Sequence, residues 1–360
     1  MTSFWALAVA RDDLSRTALL EGAVPEIGDG EALLRVDRVG LTANNVTYAV
    51  LGESFRYWDF FPPGNGWAPG WGLVPLWGFA DVVGSAVAGV PVGGRVYGYL
   101  PPASHLVVRP GRPDARGFRD ASPHRAQLPS PYNVYALTTG DAAYRGDQED
   151  LLILYRPLFF TSFMLADQLE DNGWFGAEAL VLSSASSKTA YGTAFLLRGQ
   201  APQLVGLTSA GNVAFTESLG CYDRVLPYEA AGQLSPAVAT AYLDFAGSAD
   251  VLARIRGRLG GRLVHETVVG VTHQDQSGAQ ALGGPRTTVF FAPDQMRKRS
   301  ADWGREGLDL RFAQAWRSFA AAAEGWVDVV RHRGPDELRE VWLEVLAGRS
   351  APRTGHVVTF

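Results

Sequence analysis

Lysine is almost missing from this sequence: of 32 basic residues only Lys188 and Lys298 are lysines, and arginine carries the positive charge everywhere else. Cysteine is scarcer still. Cys221 stands alone, so no disulfide can close within the chain and no cysteine cluster can hold zinc. No stretch offers about 18 uninterrupted apolar residues, and the N-terminal MTSFWALAVARDDLSR lacks the basic start and apolar core of a signal peptide. These absences set the expectation of a cytoplasmic protein without a membrane span. No run of Lys and Arg forms a basic stripe and the formal net charge is -5, so nucleic acid is not an expected partner.

What is present divides in two. With 360 residues the chain is long enough for two cores. Period-two apolar stretches around Leu33, Val36 and Val39 predict strands across Glu31–Gly52, broken by Gly rather than by helix caps. Further strands are expected at Ala80–Val87, Gly94–Leu100 and Ser104–Arg109, giving a mostly-β first domain. Phe55–Trp77, with Phe55, Tyr57, Trp58, Phe60, Phe61, Trp67 and Trp71, has no period and reads as a loop that either joins the core or lines an apolar substrate pocket.

After Arg156-Pro157 the rhythm changes. A helix is expected over Leu158–Leu169, and then strands and helices alternate with short joints, as in a parallel, doubly wound sheet. The expected strands are Ala179–Leu182, Gln203–Leu207, Val225–Pro227, Ala241–Phe245 and Arg262–Val269. A later helix begins near Pro293, and strands at Trp326–Arg331 and His356–Phe360 flank a helix at Asp336–Ala347. The boundaries implied are residues 1–155 with 325–360 for the β domain and 156–324 for the parallel-sheet domain, with the tail returning to the first.

The first strand-to-helix turn of such a sheet holds phosphate on helix N-terminal amides, and glycines normally allow the approach. Here Ser183, Ser184, Ala185, Ser186, Ser187, Lys188, Thr189 and Ala190 fill it without one glycine. Small side chains preserve part of the approach, and hydroxyls with one cation suit phosphate oxygens. Helix capping by Ser and Thr is the competing reading. At the end of the second strand Thr208, Ser209 and Asn212 replace the acidic residue that would accept a ribose hydroxyl, which favours NADPH over NADH by an absence of repulsion. Bland loop residues are the alternative there.

Several segments, taken in order, resemble the zinc-free quinone and enoyl reductases of the medium-chain dehydrogenase/reductase superfamily. GLTANNVTY at Gly40–Tyr48, WGFADVVGSAV at Trp77–Val87, VGGRVYGY at Val92–Tyr99, RPLFFTSFMLAD at Arg156–Asp167 and ESLGCYDRVLPY at Glu217–Tyr228 carry the likeness, followed by LDFAGS and GGRLV. The fold implied is α/β, a GroES-like mostly-β domain plus a Rossmann-type doubly wound parallel sheet. Asp81 where the family has Glu, Gly94 where it has Asp, and the serine turn mark a divergent, uncharacterised bacterial branch of unknown function.

The resemblance places Thr161 near the nicotinamide carboxamide and Tyr228 near the adenosine phosphate, with Phe245, Gly247 and Phe291 also beside the cofactor. It places Tyr48 at the cleft, where a phenol can donate to developing oxyanion charge, with Asn44 and Asn45 able to orient a carbonyl. A packed aromatic, with solvent as the proton source, is the other reading of Tyr48. His105 and His124 are the only histidines before residue 265, so three soft ligands cannot converge in the first domain and no metal is expected. The function implied is NADPH-dependent reduction of a small apolar enone, quinone or enoyl-type substrate by a homodimer pairing near Thr287–Phe291. A nucleotide sensor or partner-binding protein that kept the fold is the alternative. Hydrolysis by the serine run ranks last, because no Gly-x-Ser-x-Gly elbow is present.

Overall fold

Alternating apolar residues in the first 150 positions build antiparallel ladders. A computed structural model describes residues 3–62, 67–269 and 286–360, in two units: Met1–Leu154 with Val327–Phe360, and Tyr155–Trp326. The first unit begins with β1 (Ser3–Ala10), β2 (Thr17–Ala23), β3 (Ala32–Leu41), α1 (Ala43–Val50), β4 (Trp71–Gly72), β5 (Leu76–Ser85) and β6 (Arg95–Leu100). It continues through β7 (His105–Val108), β8 (Pro110–Asp114), β9 (Gly117–Asp120) and β10 (Val134–Leu137). Six of its strands, β1, β2, β4, β8, β9 and β10, went unread in the sequence.

The strand expected to run on to Gly52 ends at Leu41, and residues 43–50 are helical. The cause is a capping signal at the point where none was expected: Asn45 Oδ1 accepts the Thr42 N–H at 2.8 Å, the N-terminal half of a capping box. Asn45 is 3% exposed, and its amide also donates to Pro75 O at 2.9 Å. Both of its polar ends are therefore spent on the backbone, which corrects the expectation that it orients a substrate carbonyl. Asn45→Ala is expected to lower stability by about 2–3 kcal/mol, from the lost cap and two stranded backbone groups. An unchanged urea midpoint would show that neither bond matters.

The aromatic loop belongs to the core. Tyr57, Trp58, Phe60 and Phe61 are buried, and most of them pack with Tyr48, Tyr99 and Leu128. Beyond β10, helix α2 (Glu149–Asp171) runs through Pro157 rather than starting after it. Its first two turns bury Leu151, Leu152, Ile153, Leu154 and Tyr155, burial large enough to offset the roughly 3 kcal/mol that an internal proline costs. Glu149 at its start anchors Arg95, whose guanidinium also meets Asp81 and Asp37 at 2.9 and 2.6 Å. Asp81, a departure from the resembled family, thus has a partner.

The second unit carries β11 (Ala179–Leu182), α3 (Lys188–Leu197), β12 (Gln203–Thr208), α4 (Val213–Ser218), β13 (Arg224–Pro227), β14 (Thr240–Asp244), α5 (Ala249–Leu259), β15 (Leu263–Val269), β16 (Thr287–Phe290) and α6 (Ala292–Ala323), the last broken at Gly304. Among the described residues these strands form one six-stranded sheet, ordered β13-β12-β11-β14-β15-β16 with every neighbour parallel. Counted along the unit this is 3-2-1-4-5-6, the order of a dinucleotide-type doubly wound sheet. Val181, Val205, Leu207, Tyr242 and Ile255 form part of its core.

The chain then adds β17 (Asp328–Arg333), α7 (Gly334–Leu346) and β18 (Thr354–Thr359) to the first unit. β18 pairs antiparallel with β3 and parallel with β17, and Trp342 of α7 donates from its indole to Leu14 O at 2.8 Å. No helix among the described residues is long and apolar enough to cross a membrane.

Candidate functional site

Parallel pairing puts the carboxyl ends of all six strands on one edge of the sheet. The turn Ser183–Ser187, then Ser209 and Asn212, Tyr228, Phe245, Gly247 and Phe291 all follow directly from those ends. The order reverses between β11 and β14, where an open parallel sheet forms its crevice. Ser183 ties the two sides there. Its hydroxyl donates to Asp244 Oδ1 at 2.9 Å and accepts the Phe245 and Ala246 N–H groups at 2.8 and 3.0 Å. Asp244 Oδ1 also takes the Gly247 N–H at 3.0 Å, with Gly247 at φ 62. In the sequence Ser183 is read only as part of the turn, and Asp244 is not singled out, although LDFAGS contains it.

The turn itself keeps a glycine shape without glycine. Ser184 sits at φ 47, in the left-handed region, and its N–H donates to Tyr228 Oη at 2.9 Å. Ser186 Oγ accepts from Thr208 Oγ1 at 3.1 Å and from Asn212 Nδ2 at 3.2 Å, which joins the ends of β11 and β12. Ser187 caps α3 by accepting the Ala190 N–H. The close approach that the missing glycines would have allowed is supplied from across the turn: a Cβ on Gly206 would lie 2.8 Å from the Ala185 Cβ. Ser209 is exposed and Thr208 buried.

Capping therefore accounts for Ser187, and phosphate-type donors remain. Among the described residues, the backbone N–H groups of Ser186, Lys188 and Thr189 meet no acceptor. Lys188 has no hydrogen-bond or ion-pair partner either; its ammonium lies 5.6 Å from the centroid of the Tyr155 ring. Although the residue as a whole keeps some exposure, its amine is enclosed, and burial brings the pKa down to about 8. Three free N–H groups, a helix N-terminus and an unpaired cation form a cradle for an anion.

Thr161 differs from expectation in one respect. Its hydroxyl donates to Pro157 O at 3.3 Å, on its own helix, so its proton is engaged locally while its oxygen keeps its capacity to accept. One residue on, Ser162, unread in the sequence, reaches Thr189 O at 2.8 Å and fastens α2 to the start of α3.

Tyr48 and Asn44 lie in the first unit. Tyr48 is 5% exposed; its oxygen accepts the Trp77 indole N–H at 3.2 Å and bonds the Asn44 side chain. Burial foremost, and then the neighbouring Tyr132, push its pKa far above the ordinary phenol value. Asn44 thus serves Tyr48. Tyr57 and Tyr132 hydroxyls stand 3.4 Å apart beside it. Among the described residues no three His, Cys, Asp or Glu side chains assemble to hold a metal, and burial pushes the Cys221 thiol up to about 12.

No curated protein matches the chain by sequence. In structure it is similar to CurA from Vibrio vulnificus in complex with NADPH, at 14% identity and a TM-score of 0.63, over 99% of this chain and 98% of that one. It is similar to the Etr1p complex with NADP and crotonyl-CoA, at 9% identity, a TM-score of 0.59 and full coverage of both chains (100% and 100%). An oxidoreductase/dehydrogenase of unknown specificity from Escherichia coli gives 14% identity and a TM-score of 0.56, over 99% of each chain. At these identities the likeness is one of fold. The model of one uncharacterised family matches residues 39–351, and the chain belongs to it: the family of proteins of unknown function DUF2855.

Proposed function

We propose that this chain is an oxidoreductase that uses NADPH, without zinc, to reduce a small apolar enone, quinone or enoyl-type substrate. The observation that carries the reading is the cradle at the start of α3, where three backbone donors and the unpaired Lys188 await negative charge. The residues fit a dinucleotide. Ser184, Ser186, Ser187, Lys188 and Thr189 would hold its pyrophosphate, Thr208, Ser209, Asn212 and Tyr228 its adenosine side, and Thr161, Phe245, Gly247 and Phe291 its nicotinamide half. When bound, NADPH supplies a hydride. The names of the structural relatives, one solved with NADPH and one with NADP and an enoyl thioester, support the choice.

Tyr48 is the proposed proton donor. With its pKa far above neutrality it stays protonated across the working range, and the N–H groups of Trp77 and Asn44 steady the oxygen as the proton leaves. The side of β16 that pairs with no other strand among the described residues, at the end of the sheet, is the proposed seam of a homodimer. A sizing column that returns only monomer removes that part.

Calorimetric titration with NADPH and NADH tests the cofactor. Micromolar binding of NADPH, weakened by about 1–3 kcal/mol in Lys188→Ala through loss of a charge-assisted contact, is the expected result. Folded protein that binds neither nucleotide ends the reductase reading.

A further inference from the structure

The two lysines of this chain are held differently. Lys298 is paired with Asp171, and its neighbour Arg299 with Asp167, Asp171 and Asp302, so that charge is fully compensated. Among the described residues Lys188 has no ion-pair or hydrogen-bond partner and lies by the ring of Tyr155, whose own hydroxyl receives that of Tyr191 at 2.9 Å. Its backbone opens α3, so the positive end of the helix lies beside it and further disfavours a second positive charge. A cation–π contact opposes this, but at 5.6 Å it amounts to no more than about 1 kcal/mol. Burial brings the amine's pKa down to about 8. About a tenth of the amine is then neutral at pH 7 and more of it as pH rises toward 8, and a neutral lysine amine is a nucleophile toward carbonyl carbon.

Phosphate donors belong to Lys188 itself and to its chain neighbours. The free N–H groups of Ser186, Lys188 and Thr189 and the hydroxyl-lined turn place a phosphate-binding face within the same few residues. A ligand that carries both a phosphate and an aldehyde therefore finds both of its groups addressed. Resting on the reading of this turn as a phosphate cradle, we infer that it is also a reversible covalent site for small phosphorylated aldehydes, with Lys188 as the nucleophile. The Lys188 nitrogen attacks the carbonyl carbon and a C–N bond forms. The carbonyl oxygen takes the two amine protons and departs as water, leaving a C=N imine. No oxidant or reductant is required, and hydrolysis restores the amine. Such a ligand holds the donors that a dinucleotide phosphate needs, so it excludes NADPH while bound.

Pyridoxal 5′-phosphate is the probe, trapped with borohydride and mapped by peptide mass spectrometry. The expected result is an adduct on Lys188 formed at least about tenfold faster than on Lys298, with pyridoxal, which lacks the phosphate, about tenfold slower at Lys188. Lys188→Arg should lose the adduct, whereas Lys298→Arg should not. Labelling of Lys188 no faster than of Lys298, or equal rates with and without the probe's phosphate, overturns the inference even if NADPH binds. Fast, phosphate-dependent labelling that saturating NADPH fails to suppress upholds the aldehyde site and instead counts against the dinucleotide at this turn.

Discussion

Lys188→Met is expected to give a more stable protein that binds NADPH poorly. An amine whose pKa falls from 10.5 to about 8 on folding is protonated more readily in the unfolded chain. The unfolded state therefore binds more protons between those values, and the lysine's cost to stability is full below pH 8, fades through the interval and is absent above about 10.5. Methionine removes that cost while filling similar space. With allowance for partial exposure, the gain at pH 7 is about 1–3 kcal/mol, shrinking toward zero at pH 10. Urea unfolding at the two pH values reads the gain and calorimetry reads the affinity. A midpoint at pH 7 that is unchanged or lower would mean that the ammonium already has a partner, and the argument for an anion there would fail with it. Stability given up at one residue is a common mark of a site kept for binding.

The second large effect has nothing to do with ligands. Asp120 and Arg125 form an ion pair at 3.1 Å with each side chain 1% exposed, and Arg125 lies 4.7 Å from the centroid of the Phe61 ring. Asp120 also gathers the Arg109 and Ser122 N–H groups at 3.1 and 3.0 Å and the Ser122 hydroxyl at 2.6 Å. Asp120→Ala leaves a guanidinium buried without a counter-charge and strands those donors, so a loss of about 3–5 kcal/mol is expected. Adding Arg125→Met should recover much of it, because the penalty lies in the orphaned charge rather than in the pair. If the double variant is no more stable than the single one, the pair's geometry rather than its charge balance holds this corner.

The parallel unit was legible because its strands are short apolar runs separated by turn residues, and crossover geometry then dictates a sheet with all carboxyl ends on one edge. That is why the serine turn could be located from Ala179–Leu182 and the helix that follows. Its wiring could not be read. Ser186 meets partners 22 and 26 residues away, and no local pattern encodes such distances. Helix α1 was hidden because Asn at the third position of a capping box is an unusual substitute for Glu or Gln. Helix α2 was cut short in the reading because Pro157 is a strong local stop signal, which packing of the preceding turns overrides. Strands β1 and β2 lay in a stretch whose alternation was too weak to separate from a coil.

Ser184 adopts a backbone shape that glycine would take without cost, at an expense of about 1–3 kcal/mol for a residue with a side chain. The Tyr228 hydroxyl and the bonds around Ser186 and Ser187 keep it there. A glycine turn samples many shapes and surrenders that freedom when it wraps a ligand; this one has surrendered it during folding. An anion arriving at the head of α3 meets a socket already set, so its capture should be limited by encounter and shed little entropy from the loop.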